Sequence, residues 1–540
     1  MSDLITWLSK NAPAVLHFPW HQMAINLASA SGMRKLVAEM YIGRSTSFNS
    51  GQPRLNLPPN KNLSLSQQPS MMDAGHSKPD DPETFMSSQS MSTRSNLSNM
   101  SDGLPSRFAS LLTTITPRSL IALAVRIRYT DVLHEGLRTQ HQRCIVIQPP
   151  KYGAFNLLYT VEFGDGARWL VRIPCPGENG RFTATSSRSI RSEAYTMAYL
   201  RRNTSIPIPE IHGFDETTSN EVGAPYIMME FVNGFSVDEL WFDETGPTPL
   251  PLRRIRILKT LAEAMSQLSK FQFDEIGALQ FDPDNTLDPK RLVEFNVTDE
   301  SVDLEDMMSG VDKGPNFRKI GPFDSSFAYF EALLAMQPPP RDHFSIGLHH
   351  LLKMMIRCLP PSIATRAEPC PESFVFAHPD LDCQNVLVSE DGTLAALIDW
   401  DNVHTVPRCV GYSRYPSWIT RDWDPMKYGY QVPGCRPENS PEELESFRKI
   451  YAASISTLLS EPLDYSTKSH LFEAVWIAAS SPICLDSIVQ KIFKYLDLKD
   501  SDGNSMHLYD TAVDLAEGEV EVESELFMCF EDLFHVDYVR

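Results

Sequence analysis

The sequence predicts an α+β chain of two lobes, a small antiparallel sheet carrying one helix and then a larger, mainly helical lobe. Two observations carry that prediction. Apolar runs flank Gly164-Asp165-Gly166, a strong short-range hairpin signal because such a turn needs positive φ. Beyond residue 250 the apolar residues recur mostly at helical spacing, so the strand-rich and helix-rich stretches succeed one another along the chain.

Composition bounds the rest. The chain has 540 residues, 42% of them hydrophobic and 22% charged, ample for a sizeable core. A net charge of −21 argues against a nucleic-acid partner, which needs a basic face for phosphates. No run of 18 apolar residues suggests a membrane span, and the start MSDLITWLSK lacks the basic and apolar regions of a secretory leader. The nine cysteines are scattered with no C-x-x-C pair, so each is expected as a small buried hydrophobe in a reducing, cytoplasmic compartment.

Residues 1–43 have helical-looking pieces and no assignable chemistry. Residues 44–106 are rich in Ser, Asn, Gln, Pro and Met, and are expected to be a disordered linker. Residues 107–142 form a helical lead-in through SLIALAVRIRYTDVL. The small lobe, 143–232, contains strands at 143–148, 156–163, 168–173 and 226–232 and a helix at 189–202. Prolines in Ile206-Pro207-Ile208-Pro209 exclude a helix interior there. The large lobe, 233–500, has helices at 253–271, 327–336, 348–358 and 443–459. Residues 501–540 are expected as an acidic, solvated tail, since the last 33 residues hold ten Asp or Glu and one Arg.

One segment breaks the helical pattern, Phe374 to Asp401. Val386-Leu387-Val388 and 394–398 are short apolar strands joined by Ser389-Glu390-Asp391-Gly392, so folding the hairpin brings Asn385 and Asp399 side by side. Asp380 sits just beyond them in a loop opened by His378-Pro379. That trio suits phosphoryl transfer. Asn385 and Asp399 can supply oxygen ligands to Mg²⁺, and Asp380 can accept the proton of an attacking hydroxyl. Turn and loop capping by the same residue types is the bland alternative. His378 is expected to orient the loop, and Asp401 is a secondary metal or substrate candidate.

At His378-Pro379-Asp380-Leu381-Asp382-Cys383-Gln384-Asn385 and Leu397-Ile398-Asp399-Trp400 the sequence resembles the aminoglycoside phosphotransferase and choline kinase-like family, in the divergent branch common in filamentous fungi. The resemblance covers roughly residues 117–500. It implies a protein-kinase-like two-lobe fold that binds ATP and Mg²⁺ between the lobes and phosphorylates a small-molecule hydroxyl. Carried over residue by residue, Asp380 becomes the base and Asn385 and Asp399 the metal ligands. Glu193 becomes the partner of the cation on the α- and β-phosphates, and that cation is Arg172 where the family has lysine. Gly153, Phe155 and Asn156 become the loop over the phosphates, with Glu230 and Val232 beside the adenine.

Arginine and lysine are not interchangeable. The departure at Arg172, with the missing glycine-rich loop, leaves a second reading open: a pseudokinase binding nucleotide or a protein partner without turnover. A glycosyltransferase D-x-D at Asp399-Trp400-Asp401 explains neither the upstream loop nor the strand-then-helix order. Tyr412, Tyr415, Trp418 and Trp423 could hold an ammonium-bearing substrate, though ordinary packing is the simpler reading.

Overall fold

The computed structural model describes residues 106–537 apart from 130–142, 154, 176–181, 183, 283–284, 299–316, 361–371, 460–463, 500–502 and 504. The N-terminal segment and the linker expected at 44–106 therefore lie, except for Ser106, outside the described residues.

Helices α1 (Ala109–Thr114) and α2 (Pro117–Arg128) lead into the sheet. Thr116 starts α2 with a reciprocal capping box to Ser119, and Pro117 occupies the first turn, where no N–H is needed. Strands β1 (Cys144–Tyr152), β2 (Asn156–Phe163) and β3 (Arg168–Pro174) come after them. Helix α3 (Ala184–Asn203) is next, then β4 (Ile211–Asp215) and β5 (Tyr226–Glu230). The sheet order is β1-β2-β3-β5-β4, antiparallel throughout. The expected Asp-Gly hairpin joins β2 to β3, with Gly166 at φ 84°.

Period-two alternation decides what each face of this sheet meets. Leu157, Tyr159, Val161, Val171 and Ile173 pack with Leu120, Leu123 and Ala124 of α2. The other face meets α3 through Ile190, Ala194, Met197 and Leu200, packed with Ile227 and Met229. Arg172, next to Val171, thereby points to the α3 side.

After β5 come β6 (Phe235–Ser236), α4 (Val237–Leu240) and α5 (Leu250–Ser266). The large lobe then departs from the nearly all-helical lobe expected of its sequence. Strands β7 (Ala278–Asp282) and β8 (Asn285–Val293) form one antiparallel pair, and β9 (Phe295–Thr298) and β10 (Phe317–Ile320) another. Helices α6 (Ser326–Ala335) and α7 (His343–Cys358) precede the segment singled out above, which contains β11 (Val375–Phe376), β12 (Val386–Val388), β13 (Leu394–Leu397) and β14 (Thr405–Val406).

The chain closes with α8 (Pro441–Ser456), α9 (Asp464–Thr467), α10 (Ser469–Ser480), α11 (Leu485–Leu496), α12 (Leu508–Glu517) and α13 (Val520–Phe534). The last two replace the expected solvated tail. Ala512, Leu515, Leu526, Phe530 and Phe534 are buried in the same core as Leu348, Leu351 and Met355 of α7. Their spacing of three and four gives each helix an apolar stripe that the count of acidic residues hides. Gly347 on α7 admits the backbone of α12, since a Cβ there would stand 1.8 Å from the Ala512 carbonyl oxygen.

Candidate active site

Strand β11 is fully buried and delivers the chain to His378, which is 0% exposed. The His378 Nε2 lies 2.9 Å from the Ile398 carbonyl, and its Nδ1 accepts from the Asp380 N–H at 3.2 Å. These partners fix an Nε2–H tautomer. Burial is the main cause that pushes the imidazole down to about 3, so it is neutral. One ring thus ties the loop carrying Asp380 to the strand end carrying Asp399. Beneath it the buried Arg414 donates to the His378 carbonyl at 2.7 Å and lies 3.4 Å from Glu473.

Asp380 stands exposed at the loop's tip. Its Oδ2 accepts from Asn385 Nδ2 at 2.8 Å and Gln384 Nε2 at 3.1 Å. Packing around the carboxyl and the neighbouring Asp382 raise its pKa, against the pull of Arg414 and the Asn385 hydrogen bond. Asn385 directs its amide N–H₂ to Asp380, donating to the carbonyl (2.9 Å) as well as the carboxylate, and its Oδ1 accepts no hydrogen bond among the described residues.

The β12–β13 hairpin does what its turn chemistry predicts. Val386 pairs with Leu397, and the Ile398 N–H donates to the Asn385 carbonyl at 3.0 Å. The chain then turns sharply, with Asp399 in left-handed backbone at φ 62°, a region Asp and Asn tolerate better than most residues. The fully buried Trp400 anchors that turn, its indole N–H on the Leu397 carbonyl at 3.1 Å. The Asp399 side chain remains 45% exposed, beside Asp380 and Asp401. Crowding by protein atoms raises its pKa, Arg172 opposes that, and the two acidic neighbours add to the rise.

From the small lobe, Arg172 reaches two carboxylates at once. It pairs with Glu193 of α3 and donates to Asp399 Oδ1 at 3.2 Å. Burial works against charge on Arg172, yet the charges of Glu193, Asp401 and Asp399 outweigh it and hold the guanidinium above its ordinary value. Burial also pushes Glu193 up while Arg172 pulls it down. The acidic neighbours Asp401 and Asp399 add to the rise, which carries Glu193 up to about 8, while the guanidinium keeps its own proton.

The remaining expected residues divide. Gly153 and Asn156 close the β1–β2 turn, with the Gly153 N–H on the Asn156 carbonyl at 2.9 Å. The Phe155 ring packs against Phe317 of β10 at 5.8 Å, and Ala154 lies outside the described residues. The Glu230 carboxylate accepts from the Glu210 N–H at 3.2 Å, and the Glu230 N–H donates to the Glu210 carbonyl at 2.8 Å. The backbone of Val232 makes no hydrogen bond to other backbone among the described residues and lies in the extended link between the lobes. Tyr412, Tyr415, Trp418 and Trp423 are buried, and Asp422 pairs with Arg448 at 2.6 Å, which makes this cluster core.

Among the described residues no cluster of three His, Cys, Asp or Glu is arranged to hold a metal. One free amide oxygen at Asn385 and the carboxylate of Asp399 do fit Mg²⁺, which takes few protein oxygens and completes its shell with phosphates and water. Sequence reasoning passed over Gln384, although it lies inside the motif, and Arg414, whose distance along the chain leaves no local signal.

Residues 146–425 match the phosphotransferase enzyme family. The chain belongs to that family. Its fold is α+β, with an antiparallel sheet ahead of a mainly helical lobe. A subtelomeric hrmA-associated cluster protein of Aspergillus fumigatus is 23% identical over 373 residues, 58% of this chain and 68% of that one. Altered inheritance of mitochondria protein 9 of Candida glabrata is 23% identical over 169 residues, 28% of this chain and 26% of its own. A solved amicoumacin kinase, in complex with AMP-PNP, Ca²⁺ and Ami, is 13% identical with a TM-score of 0.34, covering 75% of this chain and 96% of that one. The cytoplasmic placement expected from the cysteines is overturned by the relatives named as mitochondrial. Free thiols carry no address.

Proposed function

We propose that this phosphotransferase family member transfers the γ-phosphoryl group of Mg·ATP to a hydroxyl of a small molecule. The observation that carries the reading is the chain of contacts that links Arg172 to Asp399 and Asn385 to Asp380, with Asp380 and Asp399 near enough to affect each other's charge. When bound, Mg²⁺ would supply charge neutralisation of the phosphates, held by Asn385 Oδ1 and Asp399.

The chain's own residues perform the rest. Asp380 accepts the proton of the acceptor hydroxyl at its carboxylate, which Asn385 and Gln384 hold at Oδ2 while Oδ1 stays open. Its raised pKa makes it the better base. Arg172, kept straight by Glu193, offers a planar fork to phosphate oxygens. The Val232 backbone and the Gly153–Asn156 turn are available to the adenine and the phosphates. Asp380, Asp382, Asp399 and Asp401 favour an acceptor with positive charge. The setting we propose is mitochondrial, supported by the names of the yeast relatives.

One observation favours a second reading. Arg172 occupies a carboxylate oxygen of Asp399, a proposed metal ligand, as expected of a pseudokinase that binds without turnover. Thermal unfolding of wild type and Asp399→Asn, with and without Mg·ATP, separates the readings. Asparagine tolerates the left-handed backbone, so the variant tests the ligand and not the turn. Ligand at 100 times its dissociation constant adds about 2.7 kcal/mol. A Mg²⁺-dependent rise lost in the variant, followed by phosphorylation of a hydroxyl compound in a screen, supports the kinase. Absence of any rise sinks it.

A further inference from the structure

A cavity of about 510 Å³ lies between α3 and the strands β7, β8 and β9, within the size range of small-molecule sites. Neither Asp380, Asn385, Asp399 nor Arg172 lines it, so it is separate from the proposed transfer site. Its walls hold both carboxylates and cations, and the partners each already has decide what the cavity can take.

Two of the carboxylates are closed to a ligand. Glu193 is 2% exposed and paired with Arg172, and Glu216 accepts from Arg191 at 2.5 Å, which engages Arg191 as well. The third, Glu294, has its side chain 58% exposed and stands 3.9 Å from Lys319 of β10, beyond hydrogen-bond reach. The Lys319 ammonium therefore makes no hydrogen bond among the described residues.

Arg291 lies opposite Gln280 across the β7–β8 pair and donates from Nε to Gln280 Oε1 at 2.7 Å. That bond fixes the plane of the guanidinium and leaves Nη1 and Nη2 without a partner among the described residues. Both cations can be reached, since Arg291 is exposed and the Lys319 side chain is 27% exposed. The open groups within reach are thus cationic donors. A planar pair of N–H₂ groups beside an ammonium matches the oxygens of a carboxylate or a phosphate, which arginine binds bidentately through charge-assisted hydrogen bonds. Leu292, Val293 and Pro322 give the rest of the wall apolar surface. We propose that the cavity is a binding site for a small organic oxyanion, its carboxylate or phosphate held by Arg291 and Lys319 and its carbon body set against Leu292 and Val293.

Calorimetric titration of the full chain with benzoate and phenyl phosphate tests this, with benzyl alcohol and benzylamine as neutral and cationic probes of like size. Saturable binding of an anion and of neither control is expected, and the tighter of the two anions tells carboxylate from phosphate. Arg291→Gln and Lys319→Gln, both at accessible strand positions, should each weaken binding at least tenfold while leaving the unfolding midpoint near that of wild type. Arg256→Gln, an exposed cation of α5 outside the cavity, should leave binding unchanged. The proposal falls if neither anion saturates up to roughly 10 mM, the outcome of a cavity filled by water alone. It falls equally if benzyl alcohol binds as well as the anions, or if Arg256→Gln weakens binding as much as Arg291→Gln, the mark of bulk charge. A silent Arg291→Gln also sinks it, because the anion then sits elsewhere, as a phosphate at Arg172 would.

Discussion

Arg172 and Asp399 are 227 residues apart in the chain and 3.2 Å apart in space. The contact joins the small lobe to the turn after β13, and Glu193 secures its other end from α3. With side chains only 9% and 3% exposed, Arg172 and Glu193 exclude the water that would otherwise solvate them. Their value to the fold lies in the pair being complete, because either charge alone would be stranded.

Arg172→Met should therefore destabilise the protein by about 3–5 kcal/mol, by leaving Glu193 without its counter-charge. Adding Glu193→Gln should recover most of that loss. Urea denaturation of the two variants and wild type reads both effects. If the single and double variants unfold at the same midpoint, the cost comes from lost packing and not from a stranded charge.

Local chemistry explains which elements are legible in the sequence. The β2–β3 hairpin announces itself through Asp165-Gly166, and the β12–β13 hairpin through Asp391-Gly392, so the neighbourhood of Asn385 and Asp399 is set by a few adjacent residues. Strands β7 to β10 carry no such signal. β8 contains Pro289, and its partner β7 shifts register twice along the pair. The approach of Arg172 to Asp399, and of Arg414 to the His378 carbonyl, depends on tertiary packing that no window of sequence contains.

Asp380 is open at Oδ1 and held at Oδ2, so Asp380→Asn should keep the loop's hydrogen bonds while removing the proton acceptor. Phosphoryl transfer to a hydroxyl acceptor should drop about 10²- to 10⁴-fold, the usual share of a general base. Mg·ATP affinity should change little. A variant that transfers phosphate as fast as wild type would remove Asp380 from the chemistry.

His378 makes the site acid-labile. Its imidazole titrates at about 3 in the fold and near 6.5 when unfolded, so between those values the unfolded chain binds the extra proton. Its neutral state contributes stability that is fully present above 6.5 and lost as pH falls toward 3. The loss is about 1.4 kcal/mol per pH unit once the unfolded imidazole is charged. His404, at about 4, and His470, at about 3, act in the same direction. Unfolding free energy measured from pH 7 to 5 should decline, and less steeply in His378→Gln. Parallel profiles would mean that His378 is charged in the fold.

The C-terminal helices are the last element whose weight can be measured. Leu515 of α12 and Leu526, Phe530 and Phe534 of α13 share a core with α7, and Gly347 lets α12 approach to backbone contact. Gly347→Ala places a methyl group 1.8 Å from the Ala512 carbonyl oxygen, and 2.4 Å from its carbon. No rotamer relieves that clash, so α12 must move, at a cost of about 1–3 kcal/mol. Removing residues 508–540 should cost more, since each large apolar side chain withdrawn from a core forfeits about 2–5 kcal/mol. The truncated chain should also unfold with a smaller denaturant slope, having less surface left to expose. If the truncation left midpoint and slope unchanged, the two helices would be dispensable to the large lobe despite their buried stripe.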